Sequence, residues 1–269
     1  MPTQLLFYKR ATAVSSERHG DWSVDHESKF DFASEINSVP LTAVEILNAA
    51  QEYAVVFAGT DEAVVPVVLL GIEDQQNLYL AGDGTWAANY IPAFVRRYPF
   101  VFSQDADDES RFTLCIDESW NGCNQEGRGE RLFDETGERS TYLDNVLGFL
   151  KEYQSHFQRS QAFCSKLQEL DLLEPMQAQF NLGDGESRSL TGFTAVSRDK
   201  LKALTAKQLH ELAQTDELEL IYNHLQSLNN VSLMLERAGK KSGPTNDAPD
   251  DSKAKSEPAK QKSEPAKKS

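Results

Sequence analysis

The chain has 269 residues and a formal net charge of −15. Its apolar fraction is ordinary for a globular protein, but its longest apolar run, residues 63–72, is far shorter than the about 18 residues that span a bilayer. The negative charge argues against a nucleic-acid-binding protein, because phosphate recognition needs clustered Lys and Arg.

The N-terminal residues 1–8 lack the charged start, the long apolar segment and the cleavage site of a secretory signal. We therefore expect a cytoplasmic location, with signal-independent export left open. The three cysteines, Cys115, Cys123 and Cys164, match neither a disulfide framework nor a common zinc motif. Reduced thiols are expected, and the sequence predicts no metal site and no cofactor.

The first half of the chain predicts a helix and then a cluster of strands. Thr42 and Glu45 have the spacing of a capping box, so a helix should begin at Ala43. A short helix is expected around residues 91–97, with loops at 105–109 and 120–128. Runs of β-branched and aromatic residues predict strands at 53–58, 64–72, 77–81, 98–103 and 111–116.

The second half predicts mostly helix. A long helix should follow the capping signal of Thr141 and Asp144, and a β-hairpin should join residues 176–182 to 190–196 through Gly183-Asp184-Gly185. Helices are expected at 201–204, 206–212 and 217–237, with Gly239 as the final cap. Because the strands and helices do not alternate strictly, we predict an α+β fold. It should combine a mixed or antiparallel sheet with a long central helix, a β-hairpin and a C-terminal helical segment.

Residues 239–269 form a distinct tail without aromatic or large aliphatic residues. Such a composition cannot bury enough apolar surface to offset the entropy of ordering, so the tail is expected to be disordered. The unit Lys255-Ser-Glu-Pro-Ala-Lys260 is repeated at 262–267. Eight Lys and five acidic residues give 240–269 a charge of +3, so it could contact the acidic body or an anionic partner, or act only as a solubilising tether.

The densest functional-looking stretch of the sequence combines aromatic residues with two adjacent arginines. A guanidinium pairs with a carboxylate through two parallel hydrogen bonds, and aromatic rings can stack on a peptide or ring ligand. The opposing interpretation is that one arginine pairs internally and the rings only pack. The candidate binding residues are Trp86, Tyr90, Arg96, Arg97 and Tyr98.

Arg96 and Arg97 should have different roles, because consecutive residues of a helix lie about 100° apart around its axis. We expect one to be buried and paired with Asp117 or Glu118, and the other to lie at the surface or at a pocket mouth. The further polar candidates are His19 and His224. A hydrogen-bonded packing role suits His224 better than metal binding, because it flanks the apolar stripe of the last helix.

Several strings in the body of the chain resemble the SapC-like family of bacterial proteins. They occur in order across residues 7–237. The strings are Phe7-Tyr8-Lys9, Val39-Pro40-Leu41-Thr42, Gln76-Asn77-Leu78-Tyr79, Tyr90-Ile91-Pro92-Ala93-Phe94-Val95-Arg96-Arg97-Tyr98-Pro99-Phe100, Leu114-Cys115-Ile116-Asp117-Glu118 and Ile221-Tyr222-Asn223-His224-Leu225. The resemblance implies a SapC-like globular domain over 1–238, followed by the 239–269 tail. It also implies an association with a bacterial surface-layer locus, without a mechanism that maps to residues.

No nucleophile elbow, phosphate loop, dinucleotide fingerprint or paired-His metal helix occurs in the sequence. We therefore expect a non-catalytic binding or accessory protein for a peptide or protein partner, and the family resemblance implies a link to surface-layer or envelope processes. The alternative is a peptidase-like or other hydrolytic enzyme that uses Asp117 with His19 or His224. That alternative requires the three side chains to converge in one concave pocket.

Overall fold

The fold is described from a computed structural model, in which residues 6–25, 29–60, 63–104, 111–181 and 187–242 are described, without the side chains of 177–190 and 240–242. The N-terminal third contains β1 (Ala11–Ala13), α1 (Ser16–His19), β2 (Ser23–Val24), β3 (Ser38–Pro40), α2 (Ile46–Ala49), β4 (Val55–Thr60) and β5 (Ala63–Leu69). Short 3-10 turns cover Asp31–Ala33 and Ala43–Glu45.

The rest of the chain begins with short elements and continues with longer ones. The short ones are α3 (Ala93–Arg96), β6 (Phe100–Gln104), β7 (Phe112–Asp117), β8 (Cys123–Asn124) and β9 (Glu130–Arg131). They are followed by α4 (Thr141–Glu169), β10 (Leu173–Asn181), β11 (Ser187–Val196), α5 (Arg198–Lys202), α6 (Ala206–Gln214), α7 (Glu217–Ser227) and α8 (Asn230–Ser242). The predicted α+β class, with its long helix, hairpin and C-terminal helices, is confirmed.

The described strands form three antiparallel sheets. The largest has the order β10-β11-β4-β5-β3, and the two three-stranded sheets have the orders β1-β7-β6 and β8-β2-β9. Between β4 and β5 the register aligns Val55 with Val68 and Phe57 with Pro66. The N-terminal segment supplies an edge strand, β1, and a central strand, β2, to the small sheets.

The 29-residue helix α4 connects two hydrophobic cores. Phe163 and Leu167 belong to the main core on the five-stranded sheet, where the Phe163 ring lies 6.3 Å from that of Phe57. Leu143 and Leu150, two turns apart near the start of α4, pack with Ile116 and other residues of the small sheets. Because a helix rises about 1.5 Å per residue, α4 spans about 43 Å and holds both layers together.

Several sequence-based boundaries are wrong for identifiable reasons. Residues 77–81 form no strand. The Asn77 side chain accepts a hydrogen bond from the Tyr79 N–H and donates to the Ala33 carbonyl, and Leu80 forms only an isolated bridge with Trp86. The cap of α4 is Ser140 rather than Thr141. The loop at 120–128 contains the two-residue strand β8.

The expected helix 217–237 is interrupted between α7 and α8. The Ser227 hydroxyl bonds to the His224 carbonyl and accepts from the Val55 N–H, and the Asn230 amide donates to the carbonyls of Ala50 and Tyr53. These bonds end one helix and anchor the next on the α2–β4 connection. Gly239 does not cap α8, which continues to Ser242.

Three expectations fall on residues outside the described part of the chain. They are the loop at 105–109, the Gly183-Asp184-Gly185 turn of the hairpin and residues 243–269 of the tail. Along the described helices, none is long and apolar enough to cross a bilayer.

Candidate functional site

Residues 90–98, here called the 90–98 segment, position most of the candidate binding residues. The segment contains the single helical turn α3, and Pro92 stands at its N-terminal boundary. The buried Glu45 carboxylate fixes the start of the segment, because Oε1 accepts hydrogen bonds from the Tyr90 hydroxyl and the Ala93 N–H, both at 2.7 Å. Its Oε2 accepts from the N–H and the hydroxyl of Thr42, both at 2.8 Å. This is the predicted capping box, and four donors satisfy the carboxylate.

The two adjacent arginines point in different directions, as the helical geometry predicts. Arg97 is only 8% exposed, and its guanidinium carbon lies 4.0 Å from the ring centre of Phe94 and 5.0 Å from that of Tyr153. Arg96 is exposed, donates from Nε to the Ile91 carbonyl at 2.9 Å and lies 5.2 Å from the ring centre of Phe149. Arg97 is thus the packed arginine, and Arg96 is the one accessible from solvent.

Asp117 does not have the arginine partner expected from the sequence. The carboxylate is completely buried and accepts hydrogen bonds from the N–H groups of Lys9 and Arg10 and from the N–H and hydroxyl of Ser119. The Tyr98 hydroxyl lies 3.4 Å from its Oδ2. Burial alone would raise the pKa of Asp117, but these hydrogen bonds hold it below its usual value. Asp117, at the end of β7, therefore anchors the two residues that precede β1.

Glu118 likewise pairs with N-terminal groups instead of Arg96 or Arg97. Its carboxylate accepts from the Arg18 guanidinium, with Nη2 at 2.9 Å, and lies 3.6 Å from Arg10 Nε. The Arg18 hydrogen bonds are the main cause that lowers the pKa of Glu118. His19 completes this cluster, with Nε2 3.2 Å from Glu118 Oε1 and with Nδ1 accepting from the Ser15 N–H.

His19, Asp117 and His224 do not form one catalytic group in the described residues. His224 lies on α7, where Nδ1 is 2.9 Å from the Val55 carbonyl and Nε2 accepts from the Val196 N–H at 3.0 Å. The ring joins two strands of the large sheet and packs on Phe57. His19 lies instead beside the small sheets, and neither histidine bonds to Asp117. The geometry that the hydrolase alternative requires is therefore missing from the described structure.

The larger of two cavities is lined by Tyr98, the last residue of the 90–98 segment, and by residues between 6 and 36 and between 119 and 128. It has a volume of about 740 Å³, and we call it the aromatic cleft because five rings line it: Phe7, Tyr8, Phe32, Tyr98 and Trp120. Phe32 stacks on Tyr98 with ring centres 4.1 Å apart, and Trp120 meets Tyr98 edge-on at 5.6 Å. Its rim carries both charge signs, from Lys9, Lys29 and Arg128 and from Asp25, Asp31 and Glu35.

A glycine allows Trp120 to occupy its position in the aromatic cleft. A Cβ atom on Gly122 would lie 2.5 Å from the Trp120 ring and 2.7 Å from the Asp25 carbonyl oxygen, so only glycine fits this loop without a shift. The Trp120 N–H lies 3.3 Å from the Asp117 carbonyl oxygen, at the turn that follows β7. The short, glycine-containing turn thus places a large indole at the edge of the cleft.

A smaller cavity also lies beside the 90–98 segment, with a volume of about 320 Å³. We call it the arginine cavity. Arg96 and Tyr90 line it from the segment, Val44 from the chain before α2, and Phe149 and His156 from α4. Tyr153, which contacts Arg97, also lines it.

Trp86 lines neither cavity. It is 9% exposed, donates from Nε1 to the Tyr53 hydroxyl at 2.7 Å and packs edge-on against Phe30. The Tyr53 hydroxyl in turn donates to the Tyr90 carbonyl. Trp86 therefore supports the 90–98 segment through Tyr53. Tyr98 lines the aromatic cleft, Tyr90 and Arg96 line the arginine cavity, and Trp86 and Arg97 line neither, so the candidate residues do not form one site.

Sequence reasoning missed the residues that complete each cavity. Phe7, Phe32 and Trp120 are far apart in the chain, and Phe149 and His156 lie on the long helix α4, about 50 to 65 residues after the 90–98 segment. The available signal was the position of Trp120 in a Gly- and Asn-rich stretch directly after Asp117 and Glu118. Within the described residues, no three His, Cys, Asp or Glu side chains are grouped to hold a metal ion.

Comparison with known proteins gives one family match. No curated protein and no solved structure matches the chain significantly. The model of the SapC family matches residues 14–234, a range that includes α3, α4, the hairpin and most of the residues lining both cavities. The chain therefore belongs to the SapC family.

Proposed function

We propose that this SapC-family protein is a non-catalytic binding or accessory protein that recognises a peptide or protein partner through the aromatic cleft. The observation that carries the proposal is the stacked and edge-on set of Phe32, Tyr98 and Trp120 in an open cavity of about 740 Å³. Binding pockets typically have volumes of about 300–1,000 Å³ with aromatic walls and a few polar groups.

The chemistry of the aromatic cleft suits a peptide better than a reacting substrate. Aromatic faces bind apolar side chains and attract cations, while the rim offers both carboxylates and amines to a chain of mixed charge. The Asp117 carboxylate behind the cleft is saturated by protein donors, so it is poorly placed to act as a base. A net charge of −15 would also accelerate the approach of a cationic partner.

The family resemblance supports a setting for this role. The family name refers to a surface-layer locus, which is compatible with an accessory protein for surface-layer or envelope processes. Identification of the bound sequence would test this setting separately from the cleft itself.

A peptide selection on the purified protein tests the proposal. Selected peptides should bind with a change in tryptophan fluorescence, and mass spectrometry should recover them uncleaved. Trp120→Ala should weaken binding by tenfold or more, since buried aromatic contacts dominate many interfaces. The control is Trp22→Phe, because Trp22 packs against His19 and does not line the cleft. Equal affinity of the Trp120→Ala variant and the parent would refute the assignment of the cleft.

A further inference from the structure

We propose that the arginine cavity is a second binding site, which takes a carboxylate attached to an apolar or aromatic group. This site is independent of the aromatic cleft. Its volume of about 320 Å³ lies at the small end of ligand pockets, enough for one side chain and its carboxylate.

The Arg96 guanidinium is held in a defined orientation. Its Nε donates to the Ile91 carbonyl, its guanidinium carbon lies 5.2 Å from the ring centre of Phe149, and Tyr90 lines the same cavity. Tyr90 in turn donates to the buried Glu45. An arginine carries five N–H donors, so most of them remain after these contacts. A guanidinium that is already oriented loses less entropy on binding than a freely rotating one.

Arg96 forms no direct ion pair with a described carboxylate, although Glu45 and Glu152 line the same cavity. No described carboxylate lies within 4.0 Å of its nitrogen atoms as an ion pair. Glu45 is occupied by four donors from Thr42, Tyr90 and Ala93. In a chain with net charge −15, an oriented arginine beside a cavity is a specific place for an anion to bind.

The surroundings favour a carboxylate over a phosphate. One guanidinium pairs well with the two oxygens of a carboxylate. Glu45 and Glu152 also line the cavity, and their charges disfavour a dianion more strongly than a monoanion.

The walls of the arginine cavity supply the apolar part of the recognition. Phe149 and Tyr153 line it, and Val44, at its rim, is 38% exposed. Leu47, three residues after Val44, is 49% exposed. A ligand with an apolar or aromatic group next to its carboxylate would cover this surface and remove it from water, which favours binding. Both a free carboxylic acid and the C-terminus of a peptide have this chemistry.

Calorimetric titration of the full chain with paired probes tests the proposal. N-acetyl-phenylalanine should bind, and its amide, which lacks the negative charge, should bind at least about tenfold more weakly. A pentapeptide ending in phenylalanine distinguishes the sources: tighter binding than the small acid indicates a peptide C-terminus, and equal binding indicates a free acid. Equal affinities for acid and amide, or no binding of either at millimolar concentration, would overturn the proposal.

Variants locate the binding on the structure. Arg96→Lys keeps the charge but loses the planar fork, so it should weaken acid binding about tenfold. Val44→Glu should weaken it as well, by adding a negative charge at the exposed rim. Arg159→Gln removes an exposed arginine of α4 that does not line the cavity, and it should bind like the parent. Trp120→Ala should also bind the acid normally, which separates this site from the aromatic cleft. Unchanged binding by both Arg96→Lys and Val44→Glu would place the acid elsewhere and refute the site.

Discussion

His224 should make the stability of the fold depend on pH in the acidic range. The ring is fully buried, and burial lowers the pKa of His224 to about 4, against about 6.5 in an unfolded chain. In the neutral form, Nε2 accepts from the Val196 N–H while Nδ1–H donates to the Val55 carbonyl. Protonation of Nε2 would place a proton against the Val196 N–H and leave a charge inside the core.

The magnitude follows from the difference in pKa between the two states. A shift of about 2.5 units corresponds to about 3 kcal/mol of unfolding free energy. Above pH 6.5 the ring is neutral in both states, so this contribution is fully present. As the pH falls from about 6.5 to about 4, the unfolded chain takes up the proton first and the contribution is lost. Below pH 4 both states are protonated and the loss levels off.

Urea unfolding of the parent and of His224→Gln between pH 4.5 and 7.5 measures this effect. Glutamine can also accept from Val196 and donate to Val55, but it does not titrate. Acidic groups such as Asp117, whose pKa is lowered in the fold, also weaken the protein in acid, but they are present in both proteins and cancel in the difference. The unfolding free energy of the parent minus that of the variant should therefore decrease by about 2 to 3 kcal/mol between pH 7.5 and pH 4.5.

The exposed His210 on α6 provides the matched control. His210→Gln should retain the pH dependence of the parent. The reasoning is refuted by parallel stability curves for the parent and His224→Gln across this pH range, because a constant difference would mean that the buried ring takes up its proton as readily as an exposed one.

Three further predictions concern the stability of the fold and the accessibility of its core. Glu45→Gln places an amide donor against the hydroxyl and N–H groups that Glu45 now accepts from, such as the Ala93 N–H, and should lower the unfolding free energy by about 2 kcal/mol in urea. Burial raises the pKa of Cys164 to about 12, so iodoacetamide should not alkylate it in the native protein at pH 8 but should do so in urea. Deletion of 243–269 should leave the Tm unchanged within about 1 °C, since this composition cannot form a core. A truncation that removes the buried Ala238 as well should lower the Tm.

The parts of the fold that local chemistry determines could be predicted from the sequence. The Thr42–Glu45 capping box forms because its donors and acceptors lie within one turn, and the β-branched and aromatic runs predicted as strands form β4 and β5. The failures arise where distant contacts override local preference. A helical pattern runs through 228–229, but Asn230 bonds to carbonyls about 180 residues earlier in the chain and starts a new helix there.

In the candidate site, too, local geometry could be predicted from the sequence and distant contacts could not. Helical geometry alone predicts that Arg96 and Arg97 point in different directions, but it does not predict which side chains surround them. Phe149 and Tyr153 reach the two arginines from the middle of α4, and nothing in the sequence relates that face of the helix to the arginines. Similarly, the rings of the aromatic cleft come from positions 7, 8, 32, 98 and 120, so the sequence could indicate aromatic residues but not that these lie together.

Arg97 packs against rings from the linings of both cavities. Its guanidinium lies 5.8 Å from the ring centre of Tyr8, which lines the aromatic cleft, and 5.0 Å from that of Tyr153, which lines the arginine cavity. The neighbouring residues extend this arrangement, because Arg96 faces one cavity and Tyr98 the other. A planar cation can contact rings on both sides, which a lysine or a methionine cannot do in the same way. The buried arginine lines neither cavity itself, but it packs between a ring that lines one and a ring that lines the other.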